Sequence, residues 1–227
     1  MGIKAKYTDL GLIRYMDAFS YQEKILSKIV SAKLGKSEPC PEEIIFCEHY
    51  HVYTLGKSGN QNNLLIDYIQ LQARNAEFYH TNRGGDITYH GPGQIVGYPI
   101  IDLDARKMGV RKYVWSLEEA VIQTLIEYGI VADRLVGATG VWLDVGIPNR
   151  TRKINAIGVR VSRGVTMHGF AFNINTDLSY FQHINPCGFV DKGVTSLAVE
   201  LGREINIAEV KAILLKKITK LLDIELI

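Results

Sequence analysis

Apolar residues recur on a helical period in three stretches of the chain and on a period of two between them. Tyr21, Ile25 and Ile29 share one stripe, with Ala18, Leu26 and Ala32 beside it, which predicts a helix from about Asp17 to Lys33, stopped by Gly35. Tyr113, Leu117, Val121 and Leu125 predict a second helix from about Val110 to Tyr128, and Gly129 stands where a helix ends in the left-handed conformation. Val210, Ile213, Leu214 and Leu221 give the apolar face of a third, over about Ile207 to Asp223, with Asn206 and Glu209 as its N-terminal capping pair. Short strands are expected at Ile44 to Glu48, Val52 to Leu55 and Ile95 to Ile100. Longer ones are expected at Val141 to Val145, Ile154 to Val161 and Val165 to Asn175, where Val159/Val161 and Phe170/Phe172/Ile174 show the alternation. Strands in the middle with helices around them predict an α+β fold, a mixed or antiparallel sheet with flanking helices, rather than a βαβ repeat. No internal repeat, low-complexity tract or long linker divides residues 1–227, so a single domain is expected.

Polar chemistry gathers at the breaks in this pattern. The run from Arg83 to Gln94 holds four glycines in twelve residues, together with a cation, a carboxylate, a phenol and an imidazole. Glycines let a backbone approach a ligand and reach positive φ. The composition points to a ligand-contacting loop, with a decorated hairpin as the alternative. It is not a dinucleotide fingerprint: the spacing from Gly93 to Gly97 is one residue too long, and a strand follows rather than a helix. Further on, Asn185-Pro186-Cys187-Gly188 is a tight turn with a thiol at its apex, either a small loop residue or a nucleophile. A thiol is mostly protonated at neutral pH, so a nucleophilic Cys187 needs a cation or base nearby; Lys153, His90 and His168 are the candidates. Lys153 opens a strand, where a lysine is commonly a solvated charge, yet the small residues Asn155, Ala156 and Gly158 after it leave room for a ligand. His168-Gly169 interrupts an apolar strand, as a core histidine bonded to backbone or as a pocket wall.

Three other motifs fail. Gly56-Lys57-Ser58 ends like a phosphate-binding loop, but His51 stands where the first glycine is required. Cys47, His49 and His51 alternate along a strand without the second ligand pair a zinc site needs, so no metal is expected. No serine sits in a nucleophile elbow. A net charge of +2 gives no field for nucleic acid or membrane, and no apolar run is long enough to span a bilayer. Arg150, Arg152, Lys153, Arg160 and Arg163 form either a solvated strand rim or a docking patch for an acidic partner. Three cysteines without paired spacing, and an N-terminus without signal-peptide layout, lead us to expect a reducing, cytoplasmic setting.

Taken together, four blocks resemble the lipoyl(octanoyl) transferase family, whose members move an octanoyl group from carrier protein to protein. They are Glu48-His49 with Val52 to Gly56; Arg83 to Gln94; Lys153 to Val161 with His168-Gly169; and Asn185 to Gly188 with Val194 to Leu197. They span about positions 44 to 201. Tyr50-His51 departs from a frequent Pro-Pro, and Asp86 stands at a variable position; neither touches the chemistry. The resemblance implies a scaffold shared with biotin and lipoate ligases. It implies Cys187 as the residue that carries octanoyl as a thioester and Lys153 as its catalytic partner. It implies an acyl site lined by Arg83, Gly84, Gly85, Asp86, Ile87, Thr88, Tyr89 and His90, by Ala156, Ile157 and Gly158, and by Gly169, Phe170 and Ala171. The implied donor is octanoyl acyl carrier protein. The implied acceptors are apo lipoyl domains of 2-oxoacid dehydrogenases and the glycine cleavage H protein, with no cofactor and a monomeric enzyme. An ATP-dependent lipoate–protein ligase would not need Cys187, and a non-catalytic binder of lipoyl domains or carrier protein would need neither Cys187 nor Lys153.

Overall fold

The computed structural model describes residues 2–185 and 192–227. In chain order the elements are β1 (Ile3–Ile13), α1 (Tyr15–Lys33), β2 (Glu42–His49), β3 (Val52–Leu55), α2 (Tyr68–Ala73), β4 (Glu77–His80), β5 (Ile87–His90) and β6 (Gln94–Ile100). There follow α3 (Val110–Glu127), β7 (Asp133–Leu135), β8 (Ala138–Leu143), β9 (Arg152–Ser162), β10 (Val165–Asn173), β11 (Gly193–Val194), α4 (Leu197–Leu201), α5 (Ile207–Leu221) and β12 (Ile224–Leu226).

Among the described residues, nine strands form one sheet in the order β12-β1-β2-β6-β10-β9-β8-β7, with β11 pairing β9 off that path. The pairings β2-β6, β6-β10, β10-β9 and β9-β8 are antiparallel, whereas β1 runs parallel to both β2 and β12 and β11 runs parallel to β9, so the sheet is mixed. Helices α3 and α5 cover one face, where Tyr113, Leu117, Val121 and Leu125 pack with Val210, Leu214 and Ile218. Helix α1 covers part of the other face through Ala18, Ile25, Leu26 and Ile29. The α+β layering expected from the periodicity is therefore the observed one. Caps agree as well: the Asn206 side chain accepts from the Ala208 and Glu209 N–H groups, and Gly129 has φ +72° after α3.

A second sheet, β4-β3-β5, stands beside the first around Tyr53, Leu55, Ile87 and Tyr89. Of the two readings of Arg83 to Gln94, a ligand-contacting loop or a decorated hairpin, neither describes the whole run. Residues 87–90 are strand β5, paired antiparallel to β3, and only the glycine-bearing ends on either side are loop. The second end is a close approach: a Cβ on Gly93, whose φ is +81°, would lie 2.6 Å from the Asn175 carbonyl.

Candidate active site

The first wall of the site is the glycine-rich segment, and Arg83 ties it together from inside. Its Nη2 donates to the carbonyls of Thr54 (2.5 Å) and Asp86 (2.7 Å), and Nη1 to that of Gly84 (3.0 Å). Four backbone bonds fasten the segment to its surroundings: Gly56 N–H to Asp86 O, Lys57 N–H to Arg83 O, Ser58 N–H to Gly85 O, and Gly84 N–H to Val159 O at 3.0 Å. The last bond lays the segment along the edge of β9. There a Cβ on Gly158 would stand 2.8 Å from the Gly84 carbonyl, so the approach needs glycine. Asp86 turns back toward residues 60–63, accepting from Asn63 Nδ2 at 2.6 Å and from the Ile87 N–H at 2.7 Å.

The floor is a patch of the main sheet nearly free of side chains. On β9 and β10, Ala156 pairs with Ala171 and Gly158 with Gly169, and Val96 of β6 lies beside Ala171. Above this patch and under the glycine-rich segment is a cavity of about 500 Å³, within the roughly 300–1,000 Å³ range of small-molecule sites. Its lining brings together Arg83, Gly84, Gly85, Asp86, Ile87, Thr88 and His90, with Ala156, Ile157, Gly158, Gly169, Phe170, Ala171 and Lys153. Tyr89 does not join them. Its ring packs on the other side of β5, stacked at 4.8 Å on Tyr180 with its hydroxyl 2.7 Å from His51 Nδ1.

Polar groups close one end, and sequence reasoning named only some of them. His90 Nδ1–H donates to Gln94 Oε1 (2.8 Å), Gln94 Nε2 donates to Asn173 Oδ1 (2.9 Å), and Asn173 Nδ2 donates to the Thr195 carbonyl (3.0 Å). Tyr98 donates to His49 Nε2 at 2.7 Å, and Tyr15 stacks on His90. Gln94 and Asn173 had a readable signal, since each is an amide set in an apolar strand pattern; Tyr15 and Tyr98 had none. His168 has φ +59° in the midst of β10, a conformation uncommon outside glycine. Its backbone N–H bonds the buried Gln22 of α1, and its Nε2–H donates to Asn82 Oδ1 at 2.7 Å, just before the glycine-rich segment. It is thus a cavity wall bonded to both the helix and the loop.

These histidines are held neutral. Burial pushes His90 down to about 3, His49 adding to the shift and the Gln94 bond opposing it. Burial takes His49 to about 4 and His168 to about 3, in the latter case with Arg83 and Arg160 nearby. None of the three supplies a cation at neutral pH, so of the named candidates only Lys153 can favour a thiolate by charge.

The opposite wall carries Lys153. Its Nζ donates to the Thr139 carbonyl at 3.2 Å and lies 4.5 Å from the centroid of the Trp142 ring. Val194 of β11 is in register with it, and the Thr195 N–H bonds the Lys153 carbonyl. Cys187, with Pro186 and Gly188, lies outside the described residues. The chain on either side of that segment is anchored at the cavity. Before it, Phe181 lines the cavity and the Asn185 N–H bonds the Asn63 carbonyl; after it, Val194 lines the cavity.

Two expectations are narrowed by the geometry. The basic residues do not share one face: Arg152 pairs with Glu200 and Asp144, Arg150 with Asp144, and Lys153 faces the cavity. Cys47 and His49 do face together, but His51 stacks on Tyr180 instead, and no metal-binding cluster occurs among the described residues. Nor is any described helix long and apolar enough to cross a membrane.

The site is thus a side-chain-poor patch roofed by a glycine-rich segment, with an amine at one wall, on a mixed sheet flanked by helices. Residues 14–219 match the lipoyl protein ligase A/B catalytic domain, and the chain belongs to that family. It is 58% identical over 198 residues to an octanoyltransferase of Parabacteroides distasonis, covering 87% of this chain and 89% of the relative. It is 54% identical to an octanoyltransferase of Christiangramia forsetii, covering 100% of this chain and 99% of the relative. The fold matches a bipartite lipoate protein ligase from an archaeal lipoylation system of Thermoplasma acidophilum, with TM-score 0.70 at 15% identity over 99% of this chain and 86% of that one.

Proposed function

We propose that the protein is an octanoyltransferase of protein lipoylation that works through a thioester on Cys187. The observation that carries this reading is the placement of Lys153 on the cavity wall, together with Phe181 and Val194, described residues that precede and follow the segment holding Cys187 and line the same cavity. The donor is octanoyl acyl carrier protein. The Cys187 thiolate attacks its thioester carbonyl, the carbon–sulfur bond to the carrier breaks, and the departing carrier thiolate takes up a proton. The acceptor is a lysine of an apo lipoyl domain. Its ε-amine attacks the acyl-enzyme, loses a proton as the amide forms, and the Cys187 sulfur leaves. Thioester to thioester is nearly balanced and thioester to amide runs downhill, so no nucleotide is consumed.

Each part of the cavity has work in this scheme. The Ala156/Gly158/Gly169/Ala171 patch accepts a slender chain against backbone, and six buried methylenes at roughly 0.8 kcal/mol each contribute about 5 kcal/mol to holding it. The Lys153 ammonium favours the thiolate by charge. The neutral His90–Gln94–Asn173 chain adds polar groups without a competing cation.

Incubation with octanoyl carrier protein in the absence of ATP, followed by intact mass measurement, tests the reading. The expected product is a single octanoyl adduct that maps to Cys187, is released by hydroxylamine and is missing from Cys187→Ser. An adduct formed only with ATP would overturn this reading in favour of an adenylate-forming ligase.

A further inference from the structure

The Lys153 amine rests on an aromatic face that the fold has been built to present. Trp142 is 2% exposed, and its Nε1–H donates to the Ala138 carbonyl at 2.9 Å. The pairing of β8 with β9 shifts register between Val141 and Trp142, which sets Trp142 opposite Lys153. Gly140 makes room for this: its φ is +123°, a Cβ there would meet the Asn155 carbonyl at 2.3 Å, and its N–H donates to buried Glu118. The negative face of an indole attracts an ammonium within about 6 Å, more strongly when water is excluded. A carbonyl at hydrogen-bond distance suits the same group, which has three donors and no acceptor.

We propose that Trp142 is a positioning residue for Lys153, whose indole face, with the Thr139 carbonyl, holds the amine as an ammonium at the cavity wall in the resting protein. This rests on the reading of Lys153 as the partner of Cys187. It assigns the resting role to charge: Lys153 can accept a proton from the incoming lysine only after its ammonium has given one up to the departing carrier thiolate.

Ionisable groups face the pair from each neighbouring element. Asp133 and Arg134 of β7 lie opposite Trp142 and Val141, and Glu118 of α3 reaches Gly140. Arg152, Asp144 and Glu200 form the ion-pair cluster beside Lys153, and Lys192 precedes β11. Lysines, thiols and tyrosines are the side-chain classes that ordinarily titrate above neutral pH, and the variants below separate Lys153 from the rest.

The chain has two tryptophans, so Trp115→Phe leaves Trp142 as the sole emitter. Emission followed from about pH 6 to about pH 11 is expected to show, beyond the change that tyrosine ionisation gives in every variant, one transition that is kept in Lys192→Met and Cys187→Ser and lost in Lys153→Met. A missing transition in the single-tryptophan protein, or one that survives Lys153→Met, overturns the proposal. In the otherwise natural chain, Trp142→Leu is expected to slow iodoacetamide alkylation of Cys187 at neutral pH about three- to tenfold, with Trp142→Phe in between. Equal rates in all three also overturn it. Alkylation indifferent to Lys153→Met overturns the reading of the site instead, while the emission transition still decides whether ring and ammonium meet.

Discussion

The two walls of the cavity are held by different physics. The glycine-rich wall is fixed by backbone: Arg83 ties together three carbonyls, Gly84 bonds the edge of β9, and neutral His90 and His168 complete it through amides. The Lys153 wall is fixed by charge and by a strand of two residue pairs, β11, whose neighbours Arg152, Glu200 and Asp144 form ion pairs. Shape therefore resides in one wall and charge in the other. Damage to the first should fall on folding, and damage to the second on chemistry.

Acid should separate them most strongly. The folded values of His90, His49 and His168 lie near 3, 4 and 3, below an unfolded value of about 6.5. Below that unfolded value the unfolded chain binds protons that the native state refuses. Their stabilisation is therefore complete above about pH 6.5 and is lost as pH falls toward the folded values. At about 1.4 kcal/mol per pH unit for each group, the three together reach roughly 4 kcal/mol per unit. Urea midpoints should fall steeply between about pH 6.5 and about pH 5. His168→Asn, which tolerates positive φ, should lower proton uptake on unfolding by about one. An unchanged pH slope in that variant would show that His168 does not resist protonation.

Next come the two cations. Arg83→Met strips donors from three carbonyls at about 1–3 kcal/mol each, so urea unfolding should show a loss of at least about 3 kcal/mol. Lys153→Met should change stability by less than about 1 kcal/mol while slowing octanoyl transfer on the order of a hundredfold, the scale of general acid–base catalysis. Reversal of these two outcomes would destroy the division of labour between the walls.

How far the sequence revealed this arrangement follows the same division. Amphipathic helices announce themselves locally, so α1, α3 and α5 were legible to within two residues at either end. Strand β1 was not: Ala5 is its only buried residue, and its place depends on parallel pairing with distant β2 and β12. Strand β5 was hidden between glycines, because four residues are too few for a period to stand out. Residue types legible in the sequence (Arg83, His90, Lys153 and the small residues of β9 and β10) do line one cavity. What stayed invisible were arrangements made by backbone exceptions. The left-handed His168 turns toward α1 and the loop, and the register shift in β8 brings Trp142 under Lys153.

The smallest predicted effect sharpens the comparison most finely, because it probes each wall at single amides. Glu200 holds Arg152 with two bonds, at 2.7 and 2.6 Å, and accepts from Thr195 Oγ1. It therefore clamps α4 and the residue after β11 to the strand that carries Lys153. Glu200→Gln keeps the shape and removes the charge, at a cost of about 1 kcal/mol for a partly exposed pair. In hydrogen exchange that cost should appear locally, since regions open independently of global unfolding. The Gly193 and Thr195 amides, which bond the Thr151 and Lys153 carbonyls, should exchange about fivefold faster. The Gly84 amide, bonded to the Val159 carbonyl on the same strand, should not change. If Gly84 accelerates equally, the walls open as one unit and charge and shape are not separable here. If only the β11 amides respond, the Lys153 wall can yield to an incoming lysine while the acyl chain stays gripped.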